Sequence, residues 1–156
     1  MSAINVVVFD WDGTLSDSAA RIVVTMQQAF QEHGLEAPTA EAVRDVVGLG
    51  LDLAVARLAA QLGQAQQRQL VITYRKVYFS ATVPASPLFD GAYETVAQLA
   101  REGYLLAVAT GKGRTGLEHG LDESGLGAFF AVTRCADETR SKPHPQMLEE
   151  ILTDLD

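Results

Sequence analysis

Asp10 and Asp12 are two carboxylates that directly follow the strand-like run Ile4 to Phe9. A short run without a polar face is typical of a central strand in a buried parallel sheet. Ligands bind just beyond the carboxyl ends of such strands, so both aspartates are expected at a binding edge. Carboxylates this close raise each other's pKa unless a cation lies between them. The alternative is a simple Asp-Gly turn, but a turn needs only one aspartate and no hydroxyl such as that of Thr14.

Two further segments carry groups that suit a phosphate. Thr110 and Gly111 follow the apolar run Tyr104 to Ala109 and precede a predicted helix. A hydroxyl and free amides at a helix N-terminus form a cradle for an anion. Lys142 also precedes a predicted helix, and Pro143 restricts the backbone next to it. A cation fixed in this way stabilises negative charge that develops on a reacting group.

The segment Asp10-x-Asp12-Gly13-Thr14-Leu15 resembles the first motif of the haloacid dehalogenase-like hydrolases, most of which are phosphatases. The resemblance implies that Asp10 attacks phosphorus and becomes an aspartyl phosphate. It implies that Asp12 first protonates the leaving group and later deprotonates the attacking water. Mg²⁺ is the implied cofactor, held by Asp10 and by the backbone carbonyl of Asp12. Gly13 lets the chain bend sharply after the strand, and it and Thr14 are counted among the phosphate-binding residues.

Thr110-Gly111 and Lys142 resemble the second and third motifs of the same family, which implies that these residues bind the transferred phosphoryl group. The fourth motif would add acidic residues after a further strand. The residues after Lys142 instead predict a single helix, with Met147, Leu148, Ile151, Leu152 and Leu155 facing inward. Asp154 and Asp156 belong to that helix, so we do not expect them to complete the metal site. The resemblance therefore covers three of four motifs and predicts a core that is incomplete at its C-terminal end.

The remaining pattern predicts an α/β fold in which a helical segment interrupts a parallel sheet after its first strand. Residues 1–15 and 83–156 are expected to form a Rossmann-like core, and residues 16–82 a cap of the kind found in phosphoglycolate phosphatase-like members. Helical periodicity predicts four cap helices. The first begins at Ser16, Asp17 or Ser18 and ends at His33, and the others run from Thr39 to Val47, from Asp52 to Leu62 and from Ala65 to Ser80. In the core it predicts helices after Ala92 and over Arg114 to Ser124, and a strand over Phe129 to Thr133.

Composition excludes several classes of protein. The net charge of −8 gives no electrostatic footprint for nucleic acid. The first apolar run is too short for a signal segment or a membrane span. The single cysteine, Cys135, excludes an intrachain disulfide and fits a reducing compartment, so a cytoplasmic location is expected. The histidines His33, His119 and His144 are expected to be structural or solvated, and Lys112 to be solvated.

The expected function is the Mg²⁺-dependent hydrolysis of a small phosphorylated metabolite, with a phosphoglycolate phosphatase-like enzyme as the best match, and the chain that ends at Asp156 is itself expected to be inactive. Asp12 argues against dehalogenation, because a halide leaves without a proton. A sugar phosphomutase of the same superfamily and a receiver-like module, phosphorylated by a partner kinase, are the alternatives. Phosphonoacetaldehyde hydrolysis would need a Schiff-base lysine from the cap, where Lys76 is the only one.

Some features of the cap and of the first strand leave more than one interpretation open. The cap segment Gly48-Leu49-Gly50 is either a helix break or a loop that touches the substrate. Arg44 and Arg57 flank it, and solvation is favoured over contact with an anionic leaving group. The strand Val6 to Phe9, without a partner on one side, predicts poor solubility, partial unfolding or self-association of the chain that ends at Asp156.

Overall fold

A computed structural model describes residues 4–156. Three strands within this range form a parallel sheet. The strands follow the order β1 (Val6–Phe9), β2 (Leu105–Thr110) and β3 (Phe130–Cys135). The register pairs Phe9 with Val108 and Thr110 with Cys135. The ends of all three strands therefore meet at one edge of the sheet, where the residues after β1 lie beside Thr110. The predicted α/β fold with a parallel sheet is confirmed.

Four helices after β1 pack around a hydrophobic core of their own. They are α1 (Ala19–Glu32), α2 (Ala40–Asp45), α3 (Leu51–Leu58) and α4 (Gln64–Tyr78). Each turns its apolar stripe inward, as expected for helices that bury one face. Met26, Phe30, Val43, Val55 and Leu70 are all almost fully buried there. We call α1 to α4 and the loops that join them the cap; its limits at residues 16 and 82 stay a prediction.

Three further helices cover the two faces of the sheet: α5 (Ala92–Arg101), α6 (Arg114–Ser124) and α7 (Gln146–Leu155). Alternate residues of β2 point to opposite faces because side chains alternate along a strand. Leu106 and Val108 join the cluster that contains α5 and α6 residues. Ala107 and Ala109 instead pack against Met147 and Ile151 of α7. The core is thus a three-layer arrangement of helix, sheet and helix.

Several predicted boundaries shift by a few residues. α2 and α3 end before the predicted Val47 and Leu62. The chain turns after α2 through Gly48, whose φ of +101° a helix does not allow. Thr110 is the last residue of β2 rather than the first residue after it, and β3 continues past Thr133 to Cys135.

The prediction for the inward face of α7 is wrong at two positions. Leu148 and Leu152 are 47% and 56% exposed, whereas Met147 and Ile151 are buried. Residues four apart share one face of a helix, so the pair at 147 and 151 takes the sheet side and the pair at 148 and 152 is turned away. None of the helices within residues 4–156 combines the length and the apolar composition needed to cross a membrane.

Candidate active site

Asp10 is the first residue after β1 and is held by two contacts. Its Oδ1 accepts a hydrogen bond from the backbone N–H of Trp11 at 2.7 Å and lies 3.0 Å from Nζ of Lys142. The Trp11 side chain is 2% exposed and packs so tightly under α6 that a Cβ added to Gly120 would lie 2.9 Å from the indole. Burial of Trp11 therefore anchors the backbone that presents the Asp10 carboxylate.

The turn after Asp12 is held by hydrogen bonds between its own backbone amide and carbonyl groups. Gly13 has a φ of +78°, a conformation that favours glycine, and donates its N–H to the Ser16 carbonyl at 2.9 Å. The N–H of Thr14 donates to the Trp11 carbonyl at 3.1 Å. Both residues are exposed and neither lines the cavity described below. In this structure Gly13 and Thr14 shape the turn, and the phosphate-binding role assigned to them stays a prediction.

Asp12 is held by a second lysine that the sequence reasoning misjudged. Nζ of Lys112 lies 3.2 Å from both carboxylate oxygens of Asp12 and donates to the Tyr78 hydroxyl at 2.9 Å. The Ser18 hydroxyl donates to Asp12 Oδ1 at 2.7 Å. The expectation that Lys112 is solvated is wrong, because its side chain is only 10% exposed.

Lys112 stays a cation despite its burial. Burial is the largest influence and by itself lowers the pKa of Lys112, but the Asp12 charge and the contact with Tyr78 raise the pKa on balance. The ammonium also lies 4.4 Å from the centre of the Tyr78 ring. The available signal was position alone: Lys112 comes two residues after the end of a buried strand, at the same sheet edge as Asp12.

Thr110 and Gly111 lie at the boundary between the core and the cap. Thr110 is 1% exposed, and its Oγ1 accepts a hydrogen bond from the Lys112 N–H at 3.0 Å. A Cβ on Gly111 would lie 2.3 Å from the Gly48 carbonyl oxygen and 2.7 Å from that of Leu49. A side chain at position 111 would therefore force the cap loop to move.

The loop Gly48-Leu49-Gly50 contacts the candidate site from above, which favours the second of the two interpretations that the sequence left open. The Gly50 N–H donates to the Ser141 hydroxyl at 2.8 Å, next to Lys142. Gly48 and Leu49 line the cavity together with Thr110 and Gly111. Substrate contact by this loop remains a proposal.

The cavity between the core and the cap has a volume of about 510 Å³. Its core wall carries Asp10, Asp12, Thr110, Gly111 and Lys112. Lys142 approaches Asp10 from the loop before α7. Predicted site residues that are far apart in the sequence, such as Asp10, Thr110 and Lys142, are therefore brought to one place.

Other polar residues lie apart from this cavity. Arg44 and Arg57 are exposed and do not line it. His33 bonds to the Thr73 hydroxyl, His119 lies 3.3 Å from a Glu123 oxygen, and His144 contacts Arg140. These contacts agree with structural or solvated roles.

The donors at the sheet edge fit a hard cation. Asp10 and Asp12 offer carboxylate and carbonyl oxygens, the ligands that Mg²⁺ prefers. Hydrogen bonds within residues 4–156 reach only Oδ1 of Asp10, so its second carboxylate oxygen is available to a ligand. The residues present therefore fit the cofactor that the sequence resemblance implies.

In a second group, Cys135, Asp137 and Glu138, the potential ligand atoms lie within 4.8 Å of one another. The two carboxylates of this group are already engaged in hydrogen bonds that support the fold. Glu138 accepts hydrogen bonds from the Arg114 guanidinium and from the Cys135 N–H, and Asp137 accepts from the Arg114 N–H. Burial raises the pKa of Cys135 to about 12, so its sulfur remains a thiol.

Comparisons with known proteins agree with this geometry. Residues 7–156 match the model of the family described as haloacid dehalogenase-like hydrolase. Phosphoglycolate phosphatase from Yersinia pseudotuberculosis is 34% identical over 155 residues, which cover 96% of this chain and 67% of that protein. Pyrophosphatase PpaX from Bacillus cereus is 29% identical over 154 residues, which cover 98% and 69%.

The fold is shared as well. The crystal structure of a predicted phosphoglycolate phosphatase from Haemophilus somnus has a TM-score of 0.88 at 22% identity and covers 99% of this chain and 73% of that chain. The chain spans about two thirds of the length of the curated relatives it matches.

Proposed function

The chain belongs to the haloacid dehalogenase-like hydrolase family, and from this premise we propose that the protein hydrolyses a small phosphate monoester through an aspartyl phosphate on Asp10. The observation that carries the proposal is the pairing of Asp10 with Lys142 at 3.0 Å, at the sheet edge where Thr110 ends β2. A nucleophile, a cation and a hydroxyl then surround one position for phosphorus. The names of the relatives make 2-phosphoglycolate and pyrophosphate the first substrates to assay.

In the first step, a carboxylate oxygen of Asp10 attacks phosphorus and the bond to the leaving oxygen breaks. Lys142 lies close enough to Asp10 to neutralise negative charge on the phosphoryl oxygens. In this proposal the Thr110 hydroxyl, at the end of β2, and the Gly111 N–H next to it donate hydrogen bonds to the phosphoryl oxygens.

Asp12 is proposed as the group that gives and then takes a proton. It protonates the leaving oxygen in the first step and deprotonates the attacking water in the second. Ser18 and Lys112 hold its carboxylate in one orientation. Orientation matters because a proton donor must lie within hydrogen-bond reach of the atom it serves.

Mg²⁺ is the proposed cofactor, with the Asp10 carboxylate and the Asp12 carbonyl as the ligands that this chain supplies. When bound, it offsets the repulsion between the Asp10 carboxylate and a phosphate. The cap would exclude water while its loop from Gly48 to Gly50 covers the leaving group. The proposed substrate is a small phosphorylated metabolite, and a cytoplasmic location is proposed because the single Cys135 is unpaired.

Asp10→Asn tests the proposal on the full-length protein. An amide cannot attack phosphorus, so turnover of 4-nitrophenyl phosphate and of 2-phosphoglycolate should be lost, and chelation of Mg²⁺ should have the same effect. Asp17→Asn is the matched control, because Asp17 is an exposed aspartate outside the cavity. Full activity of the Asp10→Asn protein, with contaminating phosphatases excluded, would contradict the covalent mechanism.

A further inference from the structure

The two walls of the cavity differ in chemistry. The core wall is polar and charged, whereas the cap wall is mainly apolar. Residues of α1, of the loop after α2, of α3 and of α4 form the cap wall, namely Ile22, Met26, Val47, Leu49, Leu51 and Tyr74. A phosphate held by the core wall would therefore direct the rest of its ester toward apolar side chains.

The two cations that line the cavity differ in their surroundings. Lys112 is occupied by both oxygens of Asp12 and by the Tyr78 hydroxyl. Arg75, the other cation of the lining, is exposed to solvent. Arg44 and Arg57, for which the sequence favours solvation over contact with an anionic leaving group, are outside the lining.

The cap wall also contains aromatic side chains. Burial, followed by the neighbouring Tyr78, raises the pKa of Tyr74 well above its usual value, so the phenol stays neutral. The Tyr74 and Tyr78 rings are stacked with centroids 5.9 Å apart. Such a wall offers contact area to an alkyl or aryl group.

We propose that the leaving group bound under the cap is uncharged and mainly apolar, so that the protein prefers simple alkyl and aryl phosphates over esters that carry a carboxylate. This inference rests on the proposed function and narrows its substrate. A carboxylate placed against these apolar side chains would lose its hydration, which is unfavourable, since Lys112 is already paired with Asp12 and Arg75 is exposed to solvent. An alkyl group in the same place loses nothing by leaving water.

A matched pair of esters tests the preference. Ethyl phosphate and 2-phosphoglycolate differ only in a methyl group against a carboxylate. With Mg²⁺ and the full-length protein, kcat/KM should be at least about tenfold higher for ethyl phosphate, and phenyl phosphate should equal or exceed it. A higher kcat/KM for 2-phosphoglycolate would overturn the inference and leave the phosphatase proposal standing.

Two variants locate the cause of the preference. Leu49→Lys adds a cation to the cap wall and should reduce the ratio of ethyl phosphate to 2-phosphoglycolate about tenfold. Leu53→Lys, at an exposed leucine of α3 outside the lining, should leave the ratio unchanged. Arg75→Gln should also leave it unchanged, whereas a selective loss of 2-phosphoglycolate turnover in this variant would show that Arg75 binds a carboxylate and would contradict the inference.

A binding measurement separates this inference from the proposed function. If no ester is turned over by the protein, the proposed function fails. Calorimetry on the Asp10→Asn protein with Mg²⁺ then tests whether the cap wall binds an apolar group. Phenyl phosphate should bind at least about tenfold tighter than inorganic phosphate. Equal affinities would overturn the inference whatever the activity.

Discussion

The core side and the cap side of the cavity differ in what fixes the positions of their residues. On the core side, Asp10 and Thr110 occupy fixed positions because they end neighbouring parallel strands. On the cap side, the same cavity is closed by side chains from three helices and a loop. Local sequence is therefore enough to place the candidate catalytic residues, whereas the cap wall, proposed to select the ester, depends on how distant segments pack.

The largest effect that separates the two sides is expected for Lys142→Ala. Removal of the cation beside Asp10 should lower kcat by roughly 10²-fold or more, because charge on the phosphoryl group loses its stabilisation. Lys76→Ala, which removes an exposed cap lysine, is the control and should have no such effect. Steady-state kinetics with one ester suffice, and equal kcat values would remove Lys142 from the mechanism.

Lys112→Met should have a smaller effect that depends on the ester. The variant leaves Asp12 without its buried cation, so proton transfer to the leaving oxygen should suffer. We expect kcat/KM to fall about 10²-fold for an alkyl phosphate and much less for 4-nitrophenyl phosphate, whose leaving group needs little proton transfer. A uniform loss across both esters would indicate damage to the fold instead of to the position of Asp12.

Gly111→Ala tests the contact between the two sides. The added Cβ would overlap the carbonyls of Gly48 and Leu49, so the loop must move. The free energy of unfolding should fall by about 1–3 kcal/mol, and discrimination between esters should weaken. Gly63→Ala is the control, since an added Cβ there meets no atom within 4 Å. Unchanged thermal unfolding and selectivity in Gly111→Ala would show that the contact is easily relieved.

The weakest effect is expected at the edge of the sheet that β1 forms. Among the described strands, β1 pairs with β2 alone. Ile4, Leu105 and Leu152 are exposed apolar side chains, and Leu105 lies beside β1 in the sheet. The 156-residue chain is predicted to self-associate through this edge. Sedimentation at several concentrations checks it, and Leu152→Lys should reduce the association. A monomer with protected amides over Val6–Phe9 would be the contrary result.

The fold and much of the candidate site could be predicted because both depend on local signals. Buried runs that end in Asp10 and in Thr110 identify strands and their carboxyl ends, and parallel pairing then brings the two residues together. Lys112 could not be identified, since its partners Asp12 and Tyr78 are far away in the sequence and a lysine after a strand is usually solvated. The predicted burial of Leu148 and Leu152 is wrong because periodicity identifies an apolar stripe on the helix but does not show how much of that stripe packs against the sheet.

The central claim is that Asp10 becomes phosphorylated during turnover. Rapid acid quenching of the full-length protein with Mg²⁺ and a substrate ester, followed by mass spectrometry of its peptides, tests this most directly. The account predicts one added phosphoryl group on the peptide that contains Asp10, labile to hydroxylamine and absent from the Asp10→Asn protein. A phosphoryl group on another residue, or turnover without any phosphorylated protein under conditions that trap it, would contradict the account.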